Sequence, residues 1–244
     1  MTTHLPPAAR LAWWGTAWLR GAVVTDLVVD AVVGDDATHV VAGLPGVTGT
    51  VGLVEGLAQL RRRGATGVGA AFPAEGDPVG LGGPRDFNTE ALGAGEAVVA
   101  IGAGIGLVPT RTGAAVAWVA TPAERRQLPD VGEADRALRV ALLQSAQALA
   151  DLDVARWRPE VADRLMDLRH REPLAAPDGV PARCVDLAAR GLQAVEVVAL
   201  ALEDDGAAVS AAQMQERRTA LVPLDSAGRA ALTAACSPEV WPPD

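Results

Sequence analysis

The 244-residue sequence contains no lysine and no tyrosine, and Asn88 is its only asparagine. Without lysine there is no P-loop, whose fingerprint ends in Gly-Lys-Ser/Thr. Schiff-base chemistry and a lysine nucleophile are excluded with it. The apolar content is mostly alanine, valine and leucine, the skew that GC-rich coding produces, so the missing lysine is compositional. Cysteine is nearly absent too. Cys184 and Cys236 lie far apart with no Cys-x-x-Cys pair, so a zinc site or redox motif has no support and two reduced, buried thiols are expected. No uncharged apolar run reaches the ~18 residues that a membrane helix needs. The start, Met1-Thr-Thr-His-Leu-Pro-Pro7, shows no charged segment followed by an apolar one, so no signal peptide is expected there. A soluble cytoplasmic chain with no membrane partner is expected. A formal charge of −9 argues against nucleic acid as a partner, because phosphate wants a basic field. The arginine clusters Arg61–Arg63, Arg125–Arg126 and Arg217–Arg218 read as solvated helix ends.

What is present is a chain with half its residues hydrophobic, enough to exclude disorder and fill a sizeable core. Strand-like runs cluster in the middle, at Val68–Phe72, Ala97–Val108 and Ala114–Ala120, while both flanks carry helical periodicity. The pattern predicts an α+β fold, with a central, mainly antiparallel sheet flanked by N-terminal helices and a C-terminal helical bundle. An α/β sheet domain over 1–128 and a helical region over 129–244 packed on it is the expected organisation, and the two can equally form one domain.

Trp13, Trp14 and Trp18 fall on one short predicted helix after Pro6-Pro7. They read as core, with a homodimer interface as the alternative. Thr25 is placed to cap a helix ending at Gly34, and Ala37–Ala42 reads as a first strand. Thr50 is placed to cap a helix through Arg63, stopped by Gly64. Asp130-Val-Gly-Glu133 and Ser210-Ala-Ala-Gln213 resemble capping boxes, and Pro159 sits at a helical first turn. Cys184–Leu202 is predicted as a helix, and a last helix is predicted over Asp225–Cys236, separate from the one opened at Ser210.

Glycines recur on alternate positions of the middle runs. Gly102, Gly104 and Gly106 share one face if Ala97–Val108 is one strand, as do Gly67 and Gly69. Glycine weakens a strand, so such a face calls for close approach by a packed helix, an indole, or a flat ligand, or else for a bend. Gly102-x-Gly104-x-Gly106 is not a dinucleotide fingerprint, because another strand follows where a helix should open.

Chemistry has few candidates. His39 follows Asp35 and Asp36, where it either bonds locally or acts as a base or ligand with Glu75, Asp77 or Asp86. The segment 73–90 is a long, turn-rich loop carrying Glu75, Asp77, Arg85, Asp86 and Asn88, and such loops often bind ligands. The candidate ligand site is therefore His39, Asp77, Arg85, Asp86 and Asn88 over Gly102, Gly104 and Gly106. No cofactor and no resident metal are expected, and no catalytic residue is assigned.

The phrases Gly34-Asp-Asp-Ala-Thr-His-Val-Val-Ala-Gly-Leu-Pro-Gly46 and Phe72-Pro-Ala-Glu-Gly-Asp-Pro-Val-Gly-Leu81 resemble a family of uncharacterised actinobacterial proteins. Asp153-Val-Ala-Arg-Trp-Arg-Pro159 and Asp205-Gly-Ala-Ala-Val-Ser210 extend the similarity over most of the chain. The resemblance implies a bacterial cytosolic protein and carries over no site residue. Two functions compete on the sequence: a non-catalytic protein that binds itself or a small molecule, and a hydrolase or transferase using His39 with acids of the 73–90 loop.

Overall fold

The computed structural model describes residues 5–124, 126–151, 173–203 and 211–242. Four short helices, α1 (Pro7–Leu19), α2 (Thr25–Val33), α3 (Leu53–Arg62) and α4 (Arg85–Ala94), are interleaved with six strands. These are β1 (Thr38–Ala42), β2 (Thr50–Gly52), β3 (Gly67–Ala71), β4 (Ala97–Ile101), β5 (Ile105–Thr112) and β6 (Ala115–Pro122). Among the described residues three long helices follow, α5 (Val131–Asp151), α6 (Ala182–Glu203) and α7 (Ala211–Ala235). The strands form one sheet in the order β2-β1-β6-β5-β4-β3, and every neighbouring pair is antiparallel except β1 with β6. The fold is α+β, as the clustered strand signals predict. No described helix is long and apolar enough to cross a membrane.

Local chemistry accounts for the helix ends. Pro7 sits in the first turn of α1, where its missing N–H costs nothing. The Asp130 carboxylate accepts from the backbone N–H groups of Gly132 and Glu133 at 2.7 and 3.2 Å, the cap expected there. Gly64 stops α3 with φ +89°. Two starts differ from the prediction. Thr25 is the first residue of α2 rather than its cap, and Thr50 belongs to β2, so α3 opens only at Leu53. The last helix runs unbroken through Pro223, because buried Leu221 and Leu224 hold both sides of the proline in the core. The predicted helix at Pro159 and the capping box at Ser210 lie outside the described residues.

One face of the sheet carries Val41, Val116, Trp118, Ile105, Leu107, Val98 and Val68, and helices α1, α2 and α3 cover it. Trp13 is fully buried and donates its indole N–H to Ala235 O at 3.1 Å, tying α1 to the end of α7. Trp18 bonds Thr25 at 3.2 Å beneath the Arg61 guanidinium, 3.9 Å from its ring centre. The tryptophans of α1 therefore serve the fold of their own chain. The core continues into Leu187, Leu221 and Leu232 of the C-terminal helices without a break.

Edge strand β3 is closed by the Thr16 side chain and by the backbone after α7. The Thr16 hydroxyl accepts from Val68 N–H at 2.9 Å and donates to Val68 O at 3.0 Å, and Ala70 N–H donates to Cys236 O at 2.9 Å. These bonds occupy the backbone groups that an edge would otherwise offer to another chain.

The glycine-lined strand is the main correction. Ala97–Val108 is two strands, not one, and Gly102 and Gly104 form the turn between them with φ +89° and +65°. Only Gly106 lies on a strand face, and the flat body over it is the Phe87 ring from α4. A Cβ at Gly106 would stand 2.7 Å from Phe87 Cζ. Phe87 and Ala91 of α4 roof a second small core with Leu81, Val99 and Val108. Gly106→Ala should therefore overpack this core and cost about 1–3 kcal/mol in chemical denaturation. Phe87→Leu in the same chain should return part of that cost, and strict additivity of the two changes would rule out the contact as its cause.

Candidate functional site

His39 stands in β1 with its ring buried on the covered face of the sheet. Its Nε2 lies 2.9 Å from Asp36 Oδ2, and Trp118 Nε1 lies 3.2 Å from its Nδ1. An indole nitrogen can only donate, so Nδ1 is the acceptor and Nε2 carries the proton that goes to Asp36. The ring is neutral, in a single tautomer, with both nitrogens committed. Burial is the main force that pushes its pKa below the usual histidine value, and the Arg10 and Arg111 charges add to it, against the opposing pull of Asp36.

Asp36 is the hub. Its carboxylate takes Arg10 at 3.0 Å, His39 at 2.9 Å and Arg111 at 2.7 Å. Burial alone would raise its pKa, but the bonds from His39, Arg111 and Arg10 outweigh it and hold the group at about 2. Arg10 comes from α1, is almost fully buried, and also donates to Val33 O at 3.0 Å, while its Nε has no partner among the described residues. Its guanidinium occupies the space that a side chain at position 34 would need, which is why Gly34 follows α2. Glu96, just before β4, accepts from Ala8 N–H at 2.9 Å in the first turn of α1. Burial raises its pKa, against the pull of that N–H and of Arg111 and Arg10.

The acids of the predicted loop join a different network. The Asp77 carboxylate accepts from Ser226 Oγ at 2.7 Å and pairs with Arg229 at 3.0 Å, both on α7. Arg229 also holds Asp225 at 2.9 Å and Phe72 O at 3.2 Å. Next to it, Arg126 donates to Ala70 O, Gly80 O, Ser237 Oγ and Glu239 Oε1 at 2.7, 3.3, 3.1 and 2.8 Å. Arg85 and Asp86 are exposed in the first turn of α4, which starts inside the segment expected to be loop. Asn88 Oδ1 accepts from Gly83 N–H at 3.0 Å and fastens the turn before α4.

The structure thus separates what the sequence grouped. Among the described residues His39 and Asp77 share no partner, Gly102 and Gly104 are turn residues, and Gly106 lies under Phe87. Among the described residues, no group of three or more His, Cys, Asp and Glu is placed to hold a metal ion. Arg10, Arg111 and Trp118 were not foreseen around His39; only the Asp36-x-x-His39 spacing signalled the cluster locally. An open groove of about 550 Å³ between α5 and α6 is lined by Asp135, Arg139, Asp186, Ala189 and Arg190. Within it Asp135 pairs with Arg139 at 2.7 Å and Arg190 at 2.5 Å.

Comparison with known proteins places the chain. Residues 8–134 match the family model described as Rv1486c-like protein, N-terminal domain, and residues 132–233 match the corresponding C-terminal domain. The chain is similar to the "Uncharacterized protein Rv1486c" of Mycobacterium tuberculosis H37Rv, at 31% identity over 70% of this chain and 75% of that protein. The "Uncharacterized protein MT1533" of M. tuberculosis CDC 1551 matches at the same identity and coverage. No solved structure matches. Two domain models that together span most of the sequence, and a relative of this identity and coverage, agree with the actinobacterial phrases: the chain belongs to the Rv1486c-like protein family.

Proposed function

We propose that the protein is a non-catalytic interaction protein of the cytoplasm that pairs with a second copy of itself through the open half of its sheet. The observation that supports this is the second sheet face. α4 roofs it over β3, β4 and β5, but among the described residues no helix covers it over β1 and β6. There Val40, Ala42, Ala115, Ala117, Val119 and Thr121 are half-buried, and alternate residues on β1 and β6 share that face by register. Thr50 and Gly52 of β2 and Thr110 and Thr112 of β5 extend it, all uncharged. A chain with a formal charge of −9 repels its own copy over most of its surface, and this flat, uncharged patch is where two copies can meet. Short alanine and valine side chains suit sheet-on-sheet packing at about 10 Å. The alternative chemistry at His39 has both ring nitrogens already committed.

Native mass spectrometry of the purified protein at tens of micromolar tests the reading. A dimer that Val119→Glu converts to a folded monomer is expected, with circular dichroism unchanged. A wild-type monomer would overturn it. So would a stoichiometric metal or metabolite adduct lost on His39→Gln, which would restore the enzyme reading.

A further inference from the structure

Trp118 and His39 meet in a way that ties a proton to the integrity of the sheet. Because Nδ1 of His39 accepts from the indole, a second proton on the ring has one place to go, the nitrogen that the Trp118 N–H already points at. Two donors would then face each other across the 3.2 Å that now separates the nitrogens. The ring cannot be protonated where it stands without breaking that bond. Trp118 is fully buried, and His39 and Trp118 lie on the two parallel strands, β1 and β6, whose backbones pair from Thr38↔Ala115 to Ala42↔Val119. We propose that the His39–Trp118 bond is an acid-sensitive latch on the β1–β6 seam: a solvent proton taken up at Nδ1 releases the indole and opens the seam locally. The His39–Trp118 bond lies on the helix-covered face of these strands, opposite the face proposed for self-association, and does not rest on that reading.

The groups that set its response face the ring from every side. Asp36, preceded by the exposed Asp35, leads into β1; Arg10 comes from α1 and Arg111 from β5; Glu96 shares their field at the entry to β4. The side chains that α2 and α3 bury are apolar: Val28 and Val32, Leu53, Leu57 and Leu60. Burial depresses the folded pKa of His39 below 6.5, so the closed seam is fully favoured above pH 6.5 and loses its advantage as pH falls towards that folded value. Within that window one proton links to opening, and the opening constant should rise about tenfold per pH unit. Asp36, held at about 2, stays charged throughout, and the raised pKa of Glu96 acts with the opposite sign, favouring the closed form as pH falls.

The test is hydrogen exchange of the Thr38–Ala42 and Ala115–Val119 amides between pH 7.5 and 4.5, beside the histidine and indole resonances of ¹⁵N-labelled protein. Expected are an Nε2–H tautomer at pH 7.5, loss of the Trp118 indole signal as His39 titrates, and opening that rises about tenfold per pH unit below 6.5. His39→Gln keeps a neutral donor for Asp36 but cannot titrate, and its seam should show no such rise. The same rise in His39→Gln, or an indole signal unchanged at pH 4.5, would sink the latch. Should the variant fail to fold, the wild-type histidine and indole resonances decide alone, since a protonated Nδ1 at pH 7.5 also contradicts it.

Discussion

Arg126→Ala should lower stability by about 3–5 kcal/mol, the cost of breaking a buried charge pair by removing one partner. For a chain of this length that corresponds to a fall in Tm of about 6–20 °C. The guanidinium is buried and serves three separate pieces of chain: Ala70 O on the outer edge of β3, Gly80 O in the loop before α4, and Ser237 and Glu239 beyond α7. Removing it leaves Gly80 O and the half-buried Glu239 carboxylate without this donor, each at a cost of about 1–3 kcal/mol, while Ala70 O keeps the Ser237 hydroxyl at 3.3 Å. It also explains Gly69, whose missing Cβ leaves room for the guanidinium to lie against the strand. Arg126→Lys should recover only part, because an ammonium cannot fork to several acceptors at once. Arg62→Ala is the control. That arginine pairs with Glu55 on an open surface, with both side chains at least half exposed, and should leave Tm within the error of the scan. A loss below about 1 kcal/mol for Arg126→Ala would mean that water replaces the guanidinium, and the clamp would be discarded.

How much of this was legible depends on how far apart the interacting residues lie. The α+β class and the Asp130 cap were readable because they rest on spacing within a few residues. The segment 73–90 was misjudged at its end. Pro84-Arg85-Asp86 opens α4, and Phe87, Ala91 and the positive-φ Gly95 carry the helix and its stop, a pattern hidden behind the prolines and glycines before it. Gly102-Ala-Gly104 passed for strand because alternating Ala and Gly mimics a period of two, whereas two positive-φ glycines between apolar runs are what a tight hairpin needs. The glycine stripes did report close approach. Which bodies approach was not readable, since Phe87 and Arg126 come from other elements. His39 shows the same boundary: Asp36 is three residues away and was in view, while Trp118 and Arg111 reach it only through the pairing of β1, β6 and β5.

The hub of that cluster gives the second large effect. Asp36→Ala leaves the buried Arg10 guanidinium with Val33 O as its remaining partner, and leaves the His39 Nε2–H without an acceptor. About 3–5 kcal/mol of stability should be lost, again because a buried charge is left alone. Arg111, more than half exposed, loses its partner to water at little cost. If the loss comes from the stranded charge, Arg10→Met together with Asp36→Leu should be more stable than Asp36→Ala alone, a non-additivity that a double-mutant cycle measures. The acid limb of the stability curve should change as well. Asp36 titrates at about 2 in the fold against an ordinary 3.8, so it contributes stability that is complete above pH 3.8 and lost as pH falls towards 2. Denaturation followed from pH 5 to pH 2 should therefore be shallower in Asp36→Ala than in the wild type. An unchanged slope would show that the carboxylate is not the group that these two arginines and the histidine hold in its charged form.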